Sequence, residues 1–193
     1  MSIVEYWDEK WRQRIRGDSV ILNLAKAHYL LRYLWKKIDW FPLEKLEVGC
    51  GSCYHAKIIS NTCKEWLDKY TGIDLSPEAV KSAQRFGVNA IVADITTFES
   101  DRKYELFIFM DVLEHIEDHK ATAEAVRRLA ADRYYIFGNV PLYRSKHETE
   151  GGFERPMNIS VLSAFIKSCG IEAFTHHIYG IDGWPYMRFE ACN

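Results

Sequence analysis

The chain has 193 residues, 48% of them hydrophobic and 27% charged, with a formal net charge of −2. This suits one globular domain with a single sizeable core and excludes a disordered chain. No stretch approaches the ~18 uncharged apolar residues of a membrane span, and no Lys/Arg run favours tight sequence-independent binding of long nucleic acid, although a local basic patch stays open.

The N-terminus, Met1-Ser2-Ile3-Val4-Glu5, lacks the basic-then-apolar layout of a secretory leader. A cytoplasmic protein with five reduced cysteines is therefore expected. No repeat or Pro/Gly-rich linker divides the chain, so residues 1–42 read as a helical N-terminal cap and 43–193 as the core of the same domain. Ser2 and Glu5 fit a capping box, and Ile3, Trp7, Trp11 and Ile15 recur on one helical face. Gly17-Asp18 breaks that helix. A second helix is predicted through Ile21, Leu24, His28, Leu31, Trp35 and Ile38, ending at Trp40-Phe41-Pro42.

From residue 43 strands and helices alternate. Leu43–Val48 reads as a buried strand, followed by a glycine turn and a helix from about Tyr54. Tyr70–Leu75 is a second strand. Ser76-Pro77-Glu78 caps the next helix, and Gly87 stops it. Ala90–Ala93 is a third strand, ending at Asp94. Leu106–Met110 is an unbroken apolar run ending at Asp111, as in a central strand covered on both faces. Asp118 caps a helix carrying Ala123, Val126, Leu129 and Ala130, and Tyr134–Phe137 is a fifth strand. The alternation predicts an α/β fold with a doubly wound, parallel Rossmann-like sheet. Pro141–Asn158 is polar and aperiodic, which marks a functional loop. A helix through Leu162, Phe165, Ile166 and Cys169 closes at Gly170. Ile171–Tyr179 and Tyr186–Ala191 then read as an antiparallel pair at one sheet edge.

Ligands of open parallel sheets bind beyond the carboxyl ends of the strands. Those ends carry Glu47 with Gly49 and Gly51, then Asp74, Asp94 and Asp111. The glycines let the backbone turn sharply and approach a ligand, and Asp74 stands 23 residues past Gly51, a spacing suited to holding a ribose. A dinucleotide enzyme would use similar parts. Against it, the third fingerprint glycine would fall on Tyr54, and the acidic Glu47 precedes the first glycine. Cys50-Gly51-Ser52-Cys53 is a lone C-x-x-C near His55 and Cys63, read as small residues filling a glycine turn rather than a metal or redox site.

On these residues the chain resembles the class I S-adenosylmethionine-dependent methyltransferases over roughly residues 43–192. Glu47-Val48-Gly49-Cys50-Gly51-Ser52-Cys53 is similar to the family's first motif, with Cys53 in place of its last glycine. Gly72-Ile73-Asp74-Leu75-Ser76 resembles the second motif, whose acid binds ribose. Val92-Ala93-Asp94-Ile95 is similar to the segment that contacts the adenine amino group. Asp111-Val112-Leu113-Glu114-His115 resembles the post-strand-four motif of the small-molecule branch that includes ubiquinone-type O-methyltransferases. The resemblance implies a seven-stranded sheet with an antiparallel last strand and S-adenosylmethionine as cofactor. It also implies a cofactor site of Glu47, Gly49, Cys50, Gly51, Asp74, Leu75, Asp94, Ile95, Asp111 and Val112. Trp7 and Trp11 resemble the Trp-x-x-x-Trp segments that close over the cofactor in thiopurine-type and some other members; docking the first helix on the core is the alternative.

The implied reaction is in-line transfer of a sulfonium methyl, driven by orientation and exclusion of water. A hydroxyl acceptor would use a general base, for which His115 is the first candidate and His147, in the polar loop with Arg144, Lys146, Glu148, Glu154 and Arg155, the second. His115 packing under the cofactor, or capping the following turn, is the other reading. His176 and His177 are adjacent on a strand and point to opposite faces. Asn139-Val140-Pro141-Leu142-Tyr143 resembles the Asn-Pro-Pro-Tyr signature of enzymes that methylate planar amines, but it follows strand five rather than strand four. The leading expectation is a small-molecule O- or N-methyltransferase. A tRNA, rRNA or protein acceptor and a degenerate regulatory subunit are the alternatives.

Overall fold

The computed structural model describes residues 2–16, 33, 36–142, 155, 157–181 and 184–193. Helix α1 spans Ile3–Arg16. Its capping box is formed: the Ser2 amide donates to Glu5 Oε2 at 2.7 Å and the Glu5 amide to Ser2 Oγ at 3.2 Å. The predicted second helix lies largely outside the described residues; its end is a 3-10 turn at Ile38–Trp40. The core follows as β1 (Lys45–Val48), α2 (Tyr54–Thr62), β2 (Tyr70–Asp74), α3 (Pro77–Arg85) and β3 (Ala90–Val92). It continues with β4 (Tyr104–Met110), α4 (His119–Leu129), β5 (Ala130–Pro141), α5 (Ile159–Ser168), β6 (Phe174–Ile181) and β7 (Trp184–Cys192).

The seven strands form one sheet in the order β3-β2-β1-β4-β5-β7-β6. The first five are parallel, and β7 lies antiparallel between β5 and β6. Side chains alternate between faces, as strand geometry requires. Phe107, Phe109, Ile136 and Val140 pack with Val126, Leu129, Leu162 and Phe165 of α4 and α5. Leu106, Ile108 and Phe137 face Ala56 and Ile59 of α2, Val80 and Ala83 of α3, and Trp40 and Phe41. Chain order reverses between β1 and β4, which sets a cleft at their carboxyl ends. No helix among the described residues is long and apolar enough to cross a membrane.

The predicted caps form, with Ser76 accepting from the Ala79 amide and Asp118 from the Ala121 amide. Several boundaries differ from the sequence reading, most of them by one to three residues. β5 runs Ala130–Pro141 rather than Tyr134–Phe137, so Ala130 is strand rather than helix, Asn139 and Val140 extend the strand, and Pro141 is strand and not loop. Asn139, Val140 and Pro141 pair with Arg188, Met187 and Tyr186 of β7, a contact no local window contains. The closing hairpin is shifted toward its turn: β6 starts at Phe174 rather than Ile171, and β6 and β7 stay paired out to Ile181↔Trp184, which takes Gly180 and Pro185 into the strands.

Candidate functional site

β1 ends at Val48, and the chain then passes through three left-handed residues, Gly49 (φ 64°), Gly51 (φ 56°) and Cys53 (φ 52°). A side chain is barred at both glycines. A Cβ on Gly49 would lie 2.2 Å from Val112 Cγ2, and one on Gly51 2.4 Å from Cζ2 of Trp11. The turn is therefore gripped from two sides, by the segment after β4 and by α1. Cys53 keeps the glycine-like conformation despite its side chain, and it caps α2 without a side-chain hydrogen bond.

Asp74, at the end of β2, fixes the same turn. Its Oδ2 accepts from the Gly51 amide at 2.8 Å and its Oδ1 from the Ser76 amide at 2.9 Å. Burial pushes its carboxyl above the ordinary range, with the nearby Glu47 and Asp8 charges adding to the rise; the two amides pull the other way. Glu47 is fully buried on β1 and accepts from the Tyr70 hydroxyl, while Cys53 Sγ lies 3.7 Å from the same hydroxyl. Cys50 and Cys53 fill the space beside Gly72, where a Cβ would meet their sulfurs at 2.7 and 3.2 Å. A hydrogen bond with Cys53, together with burial, raises the Cys50 thiol well above its usual value, the opposite of a reactive thiolate. Among the described residues no group of three His, Cys, Asp or Glu is placed to hold a metal.

The remaining candidates divide. Leu75 is half-buried beyond β2. Asp94 is exposed, and its Oδ1 accepts from the Thr96 amide and hydroxyl at 2.8 and 2.7 Å. Ile95 turns into the core shared with α4 and α5. Asp111 adopts φ 52° directly after β4, and Val112 packs on Gly49. His115 ends a 3-10 turn, half-buried, with Trp7 edge-on at 4.6 Å and Glu114 Oε1 3.9 Å from Nε2. Trp7, Trp11, Gly49, Gly51, Asp111 and His115 are thus tied together at one end of the sheet. His147 lies outside the described residues, as do Arg144, Lys146, Glu148 and Glu154.

Three participants escaped the sequence reading. Asp8 of α1 accepts from the Ser76 hydroxyl and, at 3.3 Å, from the Glu78 amide. The carboxylate on the Trp7/Trp11 side of the helix was the available signal. Tyr70 and Tyr179 gave none, because their partners lie 23 and 40 residues away.

A sequence profile described as "Methyltransferase domain" matches residues 24–191. The chain belongs to this family. Its sheet order, with β7 antiparallel between β5 and β6, is that of the Rossmann-like methyltransferase fold. Nodulation protein S of Sinorhizobium fredii (strain NBRC 101917 / NGR234) is 31% identical to this methyltransferase over 103 residues, 49% of the chain and 46% of that protein. The match therefore spans about half the length of that curated relative. The magnesium protoporphyrin IX methyltransferase of Synechocystis PCC 6803 with bound SAH superposes with a TM-score of 0.74 at 16% identity, covering 99% of this chain and 98% of that one. The N-methyltransferase NodS of Bradyrhizobium japonicum WM9, in complex with S-adenosyl-L-homocysteine (SAH), gives a TM-score of 0.58 at 15% identity over 84% and 86% of the two chains. At these identities the structural likeness is one of fold.

Proposed function

We propose that this methyltransferase methylates an oxygen or nitrogen of a small molecule in the cleft bounded by the glycine turn, Asp74, Asp111 and α1. The observation that carries the placement is the 2.8 Å bond from the Gly51 amide to Asp74, which locks the acid at the end of β2 onto the turn at the end of β1. The residues fit the cofactor. Glu47, Asp74, Asp94 and Asp111 give these strand ends a negative character that suits a sulfonium and an ammonium, and the two glycines bring bare backbone to the same place.

In this reading the turn residues Glu47, Gly49, Cys50 and Gly51 hold the methionine half. Asp74 and Leu75 hold the ribose, Asp94 and Ile95 the adenine, and Asp111 and Val112 close the floor. Bound there, S-adenosylmethionine supplies an electrophilic methyl on sulfur. Trp7 and Trp11 wall the cleft from α1, where aromatic faces suit a cation and keep water out. His115 accepts the proton of a hydroxyl acceptor; an amine needs only to arrive deprotonated. His147 is the second candidate for that proton.

Calorimetric titration with S-adenosylmethionine and SAH tests the cofactor half. Binding is expected, and Asp74→Ala should weaken it by at least about tenfold, the equivalent of ~1.4 kcal/mol. Failure of the wild type to bind either ligand, or equal binding of NAD, would overturn the assignment. Incubation with methyl-labelled cofactor and a cell extract tests the acceptor. Label in small solutes supports the proposal, whereas label in RNA or protein alone moves the acceptor to a macromolecule.

A further inference from the structure

A closed loop of contacts joins α1 to the acid at the end of β2. Asp8 Oδ1 accepts from the Ser76 hydroxyl and, at 3.3 Å, from the Glu78 amide. Ser76 is fully buried, and its own amide donates to Asp74 Oδ1 at 2.9 Å. Asp74 Oδ2 accepts from the Gly51 amide at 2.8 Å, and Gly51 lies under the Trp11 ring. The path thus leaves α1 at Asp8 and returns to it at Trp11, one helical turn further on.

The Ser76 hydroxyl has one proton to give. Its oxygen accepts from the Ala79 amide at 3.2 Å as the cap of α3, and the Asp8 carboxylate, which only accepts, takes the proton. Ser76 is therefore held by its side chain to α1 and by its amide to Asp74. Each carboxylate oxygen can accept twice, so the Ser76 and Gly51 amides fix the plane in which Asp74 would meet two further hydroxyls. What Asp8 contributes is the hydrogen bond and not the charge. Burial is the first cause that raises the Asp74 carboxyl, and the Asp8 charge adds to that rise, so on charge alone Asp8 works against the ionised acid.

We propose that Asp8 is a positioning residue for Asp74, acting through Ser76, so that the docking of α1 and the hold on the cofactor ribose are set together. The proposal rests on the assignment of Asp74 to the ribose made above. Without Asp8 the Ser76 hydroxyl keeps only its bond to Ala79, and the residue whose amide orients Asp74 loses its anchor on α1. The other Asp8 oxygen, Oδ2, lies 3.9 Å from Arg12 Nη2 on the outer side of the helix. An asparagine can therefore turn its oxygen to Ser76 and its nitrogen outward.

SAH calorimetry on a double-mutant cycle tests this. Asp8→Ala should weaken SAH by about fivefold, the worth of one hydrogen bond, and Asp74→Ala by about tenfold. In the Asp74→Ala background, Asp8→Ala should change SAH affinity by less than about 1.5-fold, because no acid is left for Asp8 to place. Asp8→Asn keeps the acceptor oxygen, drops the charge and should restore wild-type affinity. A role confined to docking α1 with its tryptophans would give the same loss in both backgrounds, and that result overturns the proposal. So does Asp8→Ala binding SAH as well as wild type, or Asp8→Asn binding it no better than Asp8→Ala. Wild type that fails to bind SAH, or Asp74→Ala at full affinity, removes the ribose assignment itself and the proposal with it.

Discussion

At Cys53 two effects of similar size oppose each other. A non-glycine residue at φ 52° carries a steric cost of about 1–2 kcal/mol. Its thiol is fully buried beside Gly72 and Tyr70, and burial of so small a group returns about 1 kcal/mol. Cys53→Gly removes both terms and is expected to leave stability within about 1 kcal/mol of wild type. Cys53→Ala keeps the strain and loses the sulfur, so it should fall about 1–2 kcal/mol below wild type. Urea midpoints at constant slope check the order. Alanine proving more stable than glycine would show that Cys53 is unstrained. The substitution itself was legible in the sequence, as a cysteine where the family motif has glycine. That the backbone keeps the glycine conformation was not, because Tyr70 and Gly72, which hold the side chain, sit 17 and 19 residues further on.

Helix α1 shows the same division one scale up. Its start and its tryptophan stripe follow from local spacing, and the capping box forms as read. Where it docks depends on Asp8, which gives α3 a second cap beyond Ser76 by accepting from the Glu78 amide and the Ser76 hydroxyl. Asp8→Ala leaves those donors to water at a cost of about 0.5–1.5 kcal/mol. The loss should be local. Hydrogen exchange is expected to quicken over α1 and the first turn of α3, with β4 and β5 unchanged. Uniform quickening across the sheet, or no change in α1, would show that Asp8 does not clamp the helix. The strand with a buried apolar run, β4, was legible for a similar reason. The polar start of β5 and its end at Pro141 were not, since pairing with the antiparallel β7 outweighs local propensity there.

Across the whole molecule, buried titratable groups shape the alkaline limb of stability. Lys45, buried on β1, donates to the carbonyls of Phe41 and Leu43 at 2.7 Å and of Asp68 at 3.0 Å, which ties the approach to β1 to the turn before β2. Burial lowers its pKa from 10.5 to about 8. Between those values the unfolded chain holds a proton that the native state has lost, so this group makes stability rise with pH. Cys169 acts in reverse. Burial raises it from 9.0 to about 12, so above pH 9 the unfolded chain releases a proton that the native state retains, and stability falls. The upward shifts of Cys50 and Tyr70 act in the same direction as Cys169. Lys45 therefore pushes stability up from about pH 8, and the buried thiols and phenol oppose it above pH 9. Lys45→Met orphans three carbonyls, for an expected loss of about 2–4 kcal/mol at pH 7. It also deletes the rising segment, so the gap between wild type and variant should widen from pH 8 to pH 9 in urea unfolding under reducing conditions. Every other titrating group cancels in that difference, and parallel curves would show that Lys45 titrates in the folded protein as it does in the unfolded chain.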